Sequence, residues 1–294
     1  MHSNNNTVKK SIVYRQANDS DIPGLKALWK SVFGDTDEYV DRFFLGVFPY
    51  SLGFLAECDG LIVGSAYSLP LGSLIYEDSR TPCSVVYSVA TNPDYRGLGI
   101  AAELTNMAAK AYDGINTVCP AEDSLFGYYE RIAGYKDFFY RSLLSYESAA
   151  LPKNTPVTVT PLEYTEYGNL RETLLSGRTH IEFGGIFLKH QKLISKASGG
   201  DMYKITFGDH TYCCTTECYE GTVYVKEVLA PQDLIPEILS SLNELTPSEK
   251  FVVSTPCDRE NGVFPMRSAM YLPSPECKLK TEDMPLPWFG FAFD

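Results

Sequence analysis

The sequence from Val85 to Ala102 reads VVYSVATNPDYRGLGIAA, and it predicts a β-strand that enters a glycine-bearing turn and then a helix. The first N–H groups of a helix have no partners within the helix, and the helix dipole places partial positive charge at this end. Gly97 and Gly99 lack a Cβ, so the backbone can approach a ligand closely, and Arg96 adds a cation. Together these features predict an anion site suited to a phosphate group.

The same glycines allow two other interpretations. Residues 97–102 also fit Gly-x-Gly-x-x-Ala, the dinucleotide-binding fingerprint of nicotinamide-dependent oxidoreductases. Glu122 and Asp123 follow about 20 residues later, where that fingerprint places an acidic residue. In a dinucleotide site, however, the strand runs almost directly into the glycines, whereas residues 92–96 intervene here. The third interpretation is a helix start that needs glycine only for its backbone conformation.

The segments around this turn alternate between strand and helix patterns. Asp59-Gly60 separates two apolar runs and predicts a two-residue hairpin turn. Apolar residues at helical spacing run from Ile22 to Phe33 and end at Gly34, a helix stop signal. The predicted order is strand 12–14, helices 22–33 and 39–47, strands 52–58, 61–69 and 84–90, helix 100–111, strand 115–119, helix 125–132 and strands within 135–146. This order predicts an α/β fold with a mixed (α+β) sheet.

The turn and the elements around it resemble the acetyl-CoA motif of the GCN5-related N-acetyltransferases, the GNAT superfamily. The family signature is Arg/Gln-x-x-Gly-x-Gly/Ala, and it is met by Arg96, Gly99 and Ala101. The order of elements over residues 11–147 also agrees with that family. The resemblance implies the GNAT acyl-CoA acyltransferase fold, with acetyl-CoA as the cosubstrate.

The resemblance also assigns the cofactor-binding residues. In the family the amides of the turn hold the CoA pyrophosphate, which here implies Arg96, Gly97, Leu98, Gly99, Ile100, Ala101 and Ala102. The preceding strand separates from its neighbour and pairs with the pantetheine arm, which implies Val89, Ala90 and Thr91. An N–H of this strand would also polarise the thioester carbonyl.

Acetyl transfer needs an acid for the departing thiolate and a base for the attacking amine. The family often places the acid in Phe/Tyr-Tyr-Glu-x-x-Gly-Phe/Tyr. This chain has Tyr128-Tyr129-Glu130 followed by Gly134, with one residue more than usual before the glycine. The resemblance favours Tyr129 as the acid, and the offset leaves Tyr128 as an alternative. The third interpretation makes both tyrosines core aromatics of a short helix.

Two places in the sequence offer a base. Glu122 and Asp123 follow the predicted strand 115–119, near the expected meeting point of substrate and thioester. They also suit the N-terminus of the helix that follows, where negative charge is favoured. A second resemblance is to the multi-domain branch with the enhanced-intracellular-survival (Eis) aminoglycoside acetyltransferases. In that branch the terminal carboxylate of the chain is the base, which here implies Asp294.

The length of 294 residues predicts two domains. A linker-like segment at 149–156 divides the chain into a catalytic domain over 1–148 and a second domain over 149–294. The second domain repeats the order of the first, with helices 167–175 and 186–197, strands 202–207, 211–218 and 222–228, helix 234–242, strand 251–254 and a strand-like tail 288–294. The Eis resemblance implies that this domain is a degenerate GNAT-like domain without the cofactor motif.

The formal net charge of −12 argues against nucleic-acid binding, which needs a basic surface. The charge suits a cationic partner such as an amine, or only keeps the protein soluble. Segment 1–10 has no signal-peptide run, and no stretch approaches the ~18 apolar residues of a membrane span, so we expect a cytoplasmic protein. The histidines show no metal-ligand spacing and the eight cysteines are expected to be reduced thiols, so no metal is expected.

These observations predict an acetyl-CoA-dependent N-acetyltransferase. It would acylate a primary amine of a small molecule or peptide by direct attack of that amine on the thioester. A non-catalytic CoA-binding or regulatory protein on the same fold is the alternative, because the tyrosine motif is offset and two places offer a base. The sequence specifies neither the acceptor amine nor the oligomeric state, for which a homo-oligomer is one option.

Overall fold

A computed structural model describes residues 11–257, 265–273, 279 and 285–291 of the chain. The first elements are β1 (Val13–Gln16), α1 (Ile22–Phe33), α2 (Asp37–Gly46), β2 (Leu52–Cys58), β3 (Leu61–Tyr76), β4 (Ser79–Thr91), α3 (Ile100–Ala109), β5 (Ile115–Val118), α4 (Asp123–Ala133) and β6 (Lys136–Glu147). They are followed by β7 (Thr158–Pro161), α5 (Tyr164–Leu174), β8 (His180–Phe183), α6 (Gly185–Ala197), β9 (Met202–Phe207), β10 (His210–Tyr219), β11 (Thr222–Leu229), α7 (Ile235–Leu245), β12 (Lys250–Thr255) and β13 (Met266–Leu272). This mixture of strands and helices confirms the predicted fold class.

The chain divides into two compact units, and neither is a contiguous segment. The first unit consists of the residues up to Leu69 together with Val86–Tyr112. The second unit consists of Pro70–Val85 together with the residues from Asp113 onward. The long strands β3 and β4 therefore contribute residues to both units.

In the first unit the strand order is β1–β2–β3–β4. Strands β2 and β3 are antiparallel, with Cys58 opposite Leu61. The two residues between them have positive φ angles, 53° at Asp59 and 79° at Gly60. Two positive φ angles characterise the tight turn whose twist matches that of a hairpin. The hairpin predicted from Asp59-Gly60 is therefore confirmed.

Helices α1 and α2 contribute aromatic side chains to the core of the first unit. The ring centroids of Trp29 and Phe43 lie 4.8 Å apart, and Tyr67 of β3 lies 5.0 Å from Phe43. All three side chains are buried, and aromatic pairs of this kind stabilise beyond their buried area. Helix α1 ends at Gly34, whose φ of 76° is the left-handed conformation of a helix stop. The predicted end of this helix is confirmed.

Helix α3 packs closely on β3 because a glycine faces it. A Cβ on Gly64 would lie 2.5 Å from Cγ2 of Ile100 and 3.0 Å from Cδ1 of Leu104. Both helix residues are buried, so neither can move away into solvent. Glycine at position 64 therefore sets how close the start of α3 comes to the sheet, and with it the position of the turn that precedes the helix.

In the second unit the strand order is β4–β5–β13–β6–β12–β11–β10–β9–β7, and β8 pairs with residues 72–75 of β3. Strand β6 changes its partner halfway along its length. Arg141 pairs with Met266 of β13, whereas the next residue, Ser142, pairs with Thr255 of β12. Helix α7 buries Ile235, Ile238, Leu239 and Leu242 in the apolar core of this unit.

Three strands of the second half were not predicted, namely β7, β8 and β13. Strands β7 and β8 have four residues each, which is too short for a clear alternating pattern. Their stability comes from pairing with β9 and β3, which are distant in sequence. Strand β13 pairs with both β5 and β6.

The predicted strand-like tail 288–294 is described up to residue 291. Its described residues form one isolated bridge, between Trp288 and His180. Residues 292–294 lie outside the described part.

Candidate functional site

The turn before α3 is open to solvent. Gly97 and Gly99 have φ angles of 78° and 80°, a left-handed conformation that other residues rarely adopt. A Cβ added to either residue would meet nothing within 4 Å. The glycines are therefore needed for the path of the backbone, and no side chain of the described residues fills the space above them.

The backbone of this turn presents a row of unused donors. The N–H of Arg96 donates to the carbonyl of Pro93 at 3.3 Å, and the first helical bond runs from Glu103 N–H to Gly99 at 3.1 Å. Within the described part of the chain, the amides of residues 97–102 between them have no acceptor. Exposed amides at the start of a helix attract an anion, because the helix dipole adds positive charge at the same place.

Arg96 and Asn92 complete the turn. The side chain of Arg96 is exposed, and no ion pair holds it among the described residues. Asn92 fixes the entry to the turn from both sides: its Oδ1 accepts from Asp94 N–H at 3.0 Å, and its own N–H donates to Val63 at 2.9 Å. The turn is thus anchored to β3 while its amides and its arginine face outward.

Strand β4 is irregular just before the turn. Ser88 has a φ of 48°, a left-handed conformation that departs from the extended backbone of a strand. The hydroxyl oxygens of Ser88 and Thr91 are buried without a hydrogen-bond partner in the described part of the chain. Buried hydroxyls normally have partners, so these two are exceptions in the described part of the chain. Ser88 was not among the site residues predicted from the sequence.

The two candidate acids lie on α4, in the second unit. Tyr129 is 8% exposed, and its ring makes edge contacts with Tyr128 at 5.5 Å and with Tyr135 at 6.1 Å. Burial raises the pKa of Tyr129, and the neighbouring Tyr128 and Cys119 raise this pKa further. Burial also raises the pKa of Tyr128, against an opposing effect of Arg131. Both phenols therefore stay protonated at neutral pH.

A buried polar network lies beneath these tyrosines. The amide of Asn116 on β5 donates to Ser84 Oγ at 2.8 Å, and its carbonyl oxygen accepts a short hydrogen bond from the hydroxyl of Tyr135. Thr117 donates to the Ser84 carbonyl at 2.9 Å. The network fixes Tyr135, and thereby the ring of Tyr129 that packs against it. Asn116 was not among the site residues predicted from the sequence. The signal that could have identified it is a polar residue inside the strand pattern Ile115–Val118.

The acidic candidates occupy the start of α4. Glu122 is the N-cap residue, and its Oε1 accepts from Ser124 Oγ at 3.0 Å. Asp123 forms a short ion pair with Arg267 of β13. Arg267 also lies 4.2 Å above the ring of Phe126. Asp123 is therefore held in an ion pair, whereas Glu122 is exposed and its carboxylate, among the described residues, bonds only to Ser124.

The structure brings the cofactor candidates together and places the catalytic candidates elsewhere in the chain. Residues 89–91 and 96–102 lie in one segment of the first unit, with Arg96, Gly97, Leu98 and Gly99 exposed and Ala90 and Ile100 buried. Tyr128, Tyr129 and Glu122 belong to the second unit. Asp294 lies outside the described residues. Among the described residues, no group of three or more His, Cys, Asp or Glu side chains could hold a metal ion.

Residues 13–133 match the family model for the acetyltransferase (GNAT) domain. Over these residues the chain is similar to GNAT acetyltransferase domains. The family acts with acyl-CoA, so the comparison agrees with the open turn that precedes α3. Its helix α3 and the strands on either side lie entirely within the matched residues.

Solved structures are similar to nearly the whole chain. A conserved protein from Enterococcus faecalis V583, described as a probable N-acyltransferase, has a TM-score of 0.66 at 14% identity, over 89% of this chain and 72% of its own. Eis1 from Mycobacterium abscessus has a TM-score of 0.60 at 12% identity, over 89% and 73%. A tandem GNAT protein from the clavulanic acid biosynthesis pathway has a TM-score of 0.54 at 11% identity, over 90% and 100%. At these identities the likeness shows a shared fold.

A search of curated proteins gave no match to this sequence. In the described part of the chain, no helix is long and apolar enough to span a membrane. The cysteines described there form no disulfide with one another, namely Cys58, Cys83, Cys119, Cys213, Cys214, Cys218 and Cys257.

Proposed function

We propose that the protein is an N-acetyltransferase that transfers an acetyl group from acetyl-CoA to a primary amine of a small molecule or peptide. One observation supports this function above the others: the amides of residues 97–102 have no acceptor among the described residues. The hydroxyls of Ser88 and Thr91, on the strand before them, have none either. A helix start by itself leaves about four amides without partners, whereas here six consecutive amides have no acceptor in the described part of the chain.

The residues of the first unit fit acetyl-CoA. The amides of residues 97–102 would hold the pyrophosphate, with the cation of Arg96 beside it. The backbone of Val89, Ala90 and Thr91 would hold the pantetheine arm, next to Ser88 with its left-handed φ of 48°. When bound, acetyl-CoA supplies the activated acetyl group as a thioester.

Side chains on and near α4 would supply the proton transfers. Tyr129 keeps its proton because its pKa is raised by burial, so its hydroxyl can donate to the departing sulfur. Tyr128 is the alternative donor, since its ring contacts that of Tyr129. Glu122 or Asp294 would accept the proton of the amine. Of the acidic pair on α4, Glu122 suits this role better, because Asp123 is engaged by Arg267.

Cofactor binding would be confined to the first half of the chain. In the second half, β11 ends at Leu229 and α7 starts at Ile235, and the residues between them read Ala-Pro-Gln-Asp-Leu. This connection has no glycine and no arginine. We therefore propose a catalytic domain over 1–148 and a degenerate GNAT-like domain over 149–294.

The test is CoA release by the purified protein with acetyl-CoA and a panel of primary amines. Release above background with at least one amine, together with acetyl-CoA binding measured by calorimetry, is the expected result. Acetyl-CoA binding without turnover of any amine would favour a non-catalytic CoA-binding protein. Binding of a nicotinamide dinucleotide in place of acetyl-CoA would contradict the proposal.

A further inference from the structure

The second unit contains a cavity at the point where β6 changes its partner. Its volume is about 190 Å³. Strand β6 pairs with β13 up to Arg141 and with β12 from Ser142 onward, so the strands diverge here. Leu143, Phe289 and Phe291 form apolar parts of the wall. The cavity is smaller than the ~300–1,000 Å³ of sites for drug-sized ligands, so it suits a group of amino-acid size.

The charged side chains that line this cavity are all positive among the described residues. Arg141 and Lys226 line it, and none of the described lining residues is acidic. The Nε of Arg141 is buried without a hydrogen-bond partner, and the described part of the chain gives this arginine no ion pair. A buried guanidinium nitrogen without an acceptor is unfavourable in the absence of a ligand. In a chain of net charge −12, this arginine is left without a carboxylate partner among the described residues.

Two hydroxyls next to the cations are also unpartnered. Ser254 of β12 is only 5% exposed, and its Oγ has no hydrogen-bond partner among the described residues. The Oγ of Ser268 is buried without a partner as well. Ser268 is the extra residue of a β-bulge, since Arg267 pairs with Tyr140 and Ala269 with Phe139. Bulges redirect side chains, and this one gives Ser268 its place in the cavity wall.

Cys119 connects the cavity with the candidate acid. It lines the cavity, and it is close enough to Tyr129 to raise the pKa of that phenol. A small molecule held in the cavity would therefore lie near the group to which we assign the proton transfer.

We propose that this cavity binds the carboxylate of the acceptor, and that the acceptor is an amino acid or a similar small amine with a free carboxylate. This inference rests on the proposed acetyltransferase function. The guanidinium of Arg141 would form charge-assisted hydrogen bonds with the carboxylate, and the hydroxyls of Ser254 and Ser268 would donate to it. The apolar wall would take the hydrocarbon part of the molecule.

The test is a calorimetric titration of the protein without acetyl-CoA. The probes are glycine, L-leucine and L-phenylalanine, the carboxamide of each, and inorganic phosphate. We expect at least one amino acid to bind, and its carboxamide to bind at least about tenfold more weakly, because charged hydrogen bonds are the stronger ones. Equal binding of an amino acid and its carboxamide would overturn the proposal, as would binding of phosphate but of no amino acid.

Variants assign the binding to this cavity. Arg141→Gln should weaken amino-acid binding about ten- to a hundredfold. Arg42→Gln is the matched control, because Arg42 lies on α2 and pairs with Glu38 on the surface. Ser254→Ala removes a single oxygen and should weaken binding several-fold without lowering the Tm, so it serves if Arg141→Gln fails to fold. Unchanged affinity in both cavity variants would overturn the proposal.

A separate measurement tests the acceptor role. With acetyl-CoA present, the amino acid that binds should be acetylated, and Ser254→Ala should raise its KM more than it lowers kcat. Failure of the transferase function would abolish turnover of every amine but leave the titration without acetyl-CoA unchanged. Turnover of other amines, with none of the amino acid that binds, would overturn the acceptor assignment alone.

Discussion

Glu227 accepts a hydrogen bond from Arg171 Nε at 2.9 Å, and both side chains are fully buried. The carboxylate also accepts from the hydroxyl of Tyr167 at 2.7 Å and from Nε1 of Trp288 at 2.6 Å. The guanidinium of Arg171 lies 4.5 Å from the ring of Phe183. One carboxylate thus connects β11, α5 and the aromatic segment 285–291 within the second unit.

Replacing Glu227 tests this connection. Removing one partner of a buried ion pair leaves an uncompensated charge, which destabilises a protein by about 3–5 kcal/mol. We expect Glu227→Ala to lower the free energy of unfolding by this amount in urea denaturation. The control is Glu38→Ala, whose pair with Arg42 is exposed and contributes less than about 1 kcal/mol. Equal, small losses in the two variants would contradict the prediction.

Gly290 is a second test of the same region. Its φ is 96°, and a Cβ there would lie 2.6 Å from Nη2 of Arg171 and 2.9 Å from Oε2 of Glu227. We expect Gly290→Ala to lower the Tm more than Gly208→Ala does. Gly208 also has a positive φ, 58°, but its Cβ would meet nothing within 4 Å, so the control carries only backbone strain of about 1 kcal/mol. Equal Tm values would show that the segment adjusts around the added carbon.

The order of elements in the first half could be predicted because local chemistry specifies it. Asp59-Gly60 can form a hairpin turn by itself, and Gly34 can end a helix by itself. Gly97 and Gly99 likewise need only their own backbone angles. Each of these signals acts within a few residues, so a single sequence carries it in full.

The features that were missed depend on residues distant in sequence. Asn116 has a role only because Ser84 and Tyr135 lie beside it in the fold. Strand β8 is a strand because residues 72–75 of β3 pair with it. The cations Arg141 and Lys226 come from different strands and line one cavity, which the net charge of −12 gives no reason to expect.

Gly99→Ala tests the proposed pyrophosphate site. Gly99 has a φ of 80°, and the alanine would have to keep this conformation or distort the amides before α3. We expect acetyl-CoA affinity, measured by calorimetry, to fall at least about tenfold, since several amide hydrogen bonds to a charged group depend on this geometry. The Tm should fall modestly, by the equivalent of about 1 kcal/mol.

Gly34→Ala is the matched control for this change. Gly34 has a φ of 76° and, like Gly99, has nothing within 4 Å of the added carbon. The two substitutions therefore introduce the same backbone strain in the same unit. Gly34→Ala should lower the Tm similarly and leave acetyl-CoA affinity unchanged. A loss of affinity in both variants would indicate general destabilisation.

Asp294 is tested by removing the last two residues. The preceding residues Trp288, Phe289 and Phe291 are buried and are kept in the deletion, and the Tm of the shortened protein is measured beside its kcat. If Asp294 is the base, kcat should fall by about 10²–10⁴-fold. Glu122→Gln is the competing variant. The larger loss of kcat identifies the base, and unchanged turnover in both would exclude both candidates.

The two tyrosines of α4 differ in burial, and this difference separates their roles. Tyr129 is 8% exposed, and its pKa lies above the ordinary tyrosine value of about 10. A group with a raised pKa is protonated at every pH below that value, so Tyr129 remains a proton donor across the neutral and mildly alkaline range. Tyr129→Phe should therefore lower kcat by about 10²–10⁴-fold without changing the shape of the pH–rate profile below pH 10.

Tyr128→Phe is the matched comparison, because it removes the same oxygen from the adjacent ring, which contacts that of Tyr129 edge-on at 5.5 Å. It should change kcat far less, while both variants keep the Tm and the acetyl-CoA affinity of the parent protein. The reverse order of the two effects would assign the acid to Tyr128, which is the assignment that the extra residue before Gly134 leaves open. If both variants keep the kcat of the parent protein, the two tyrosines are core aromatics and neither is the acid. The departing thiolate would then take its proton from another group or from water.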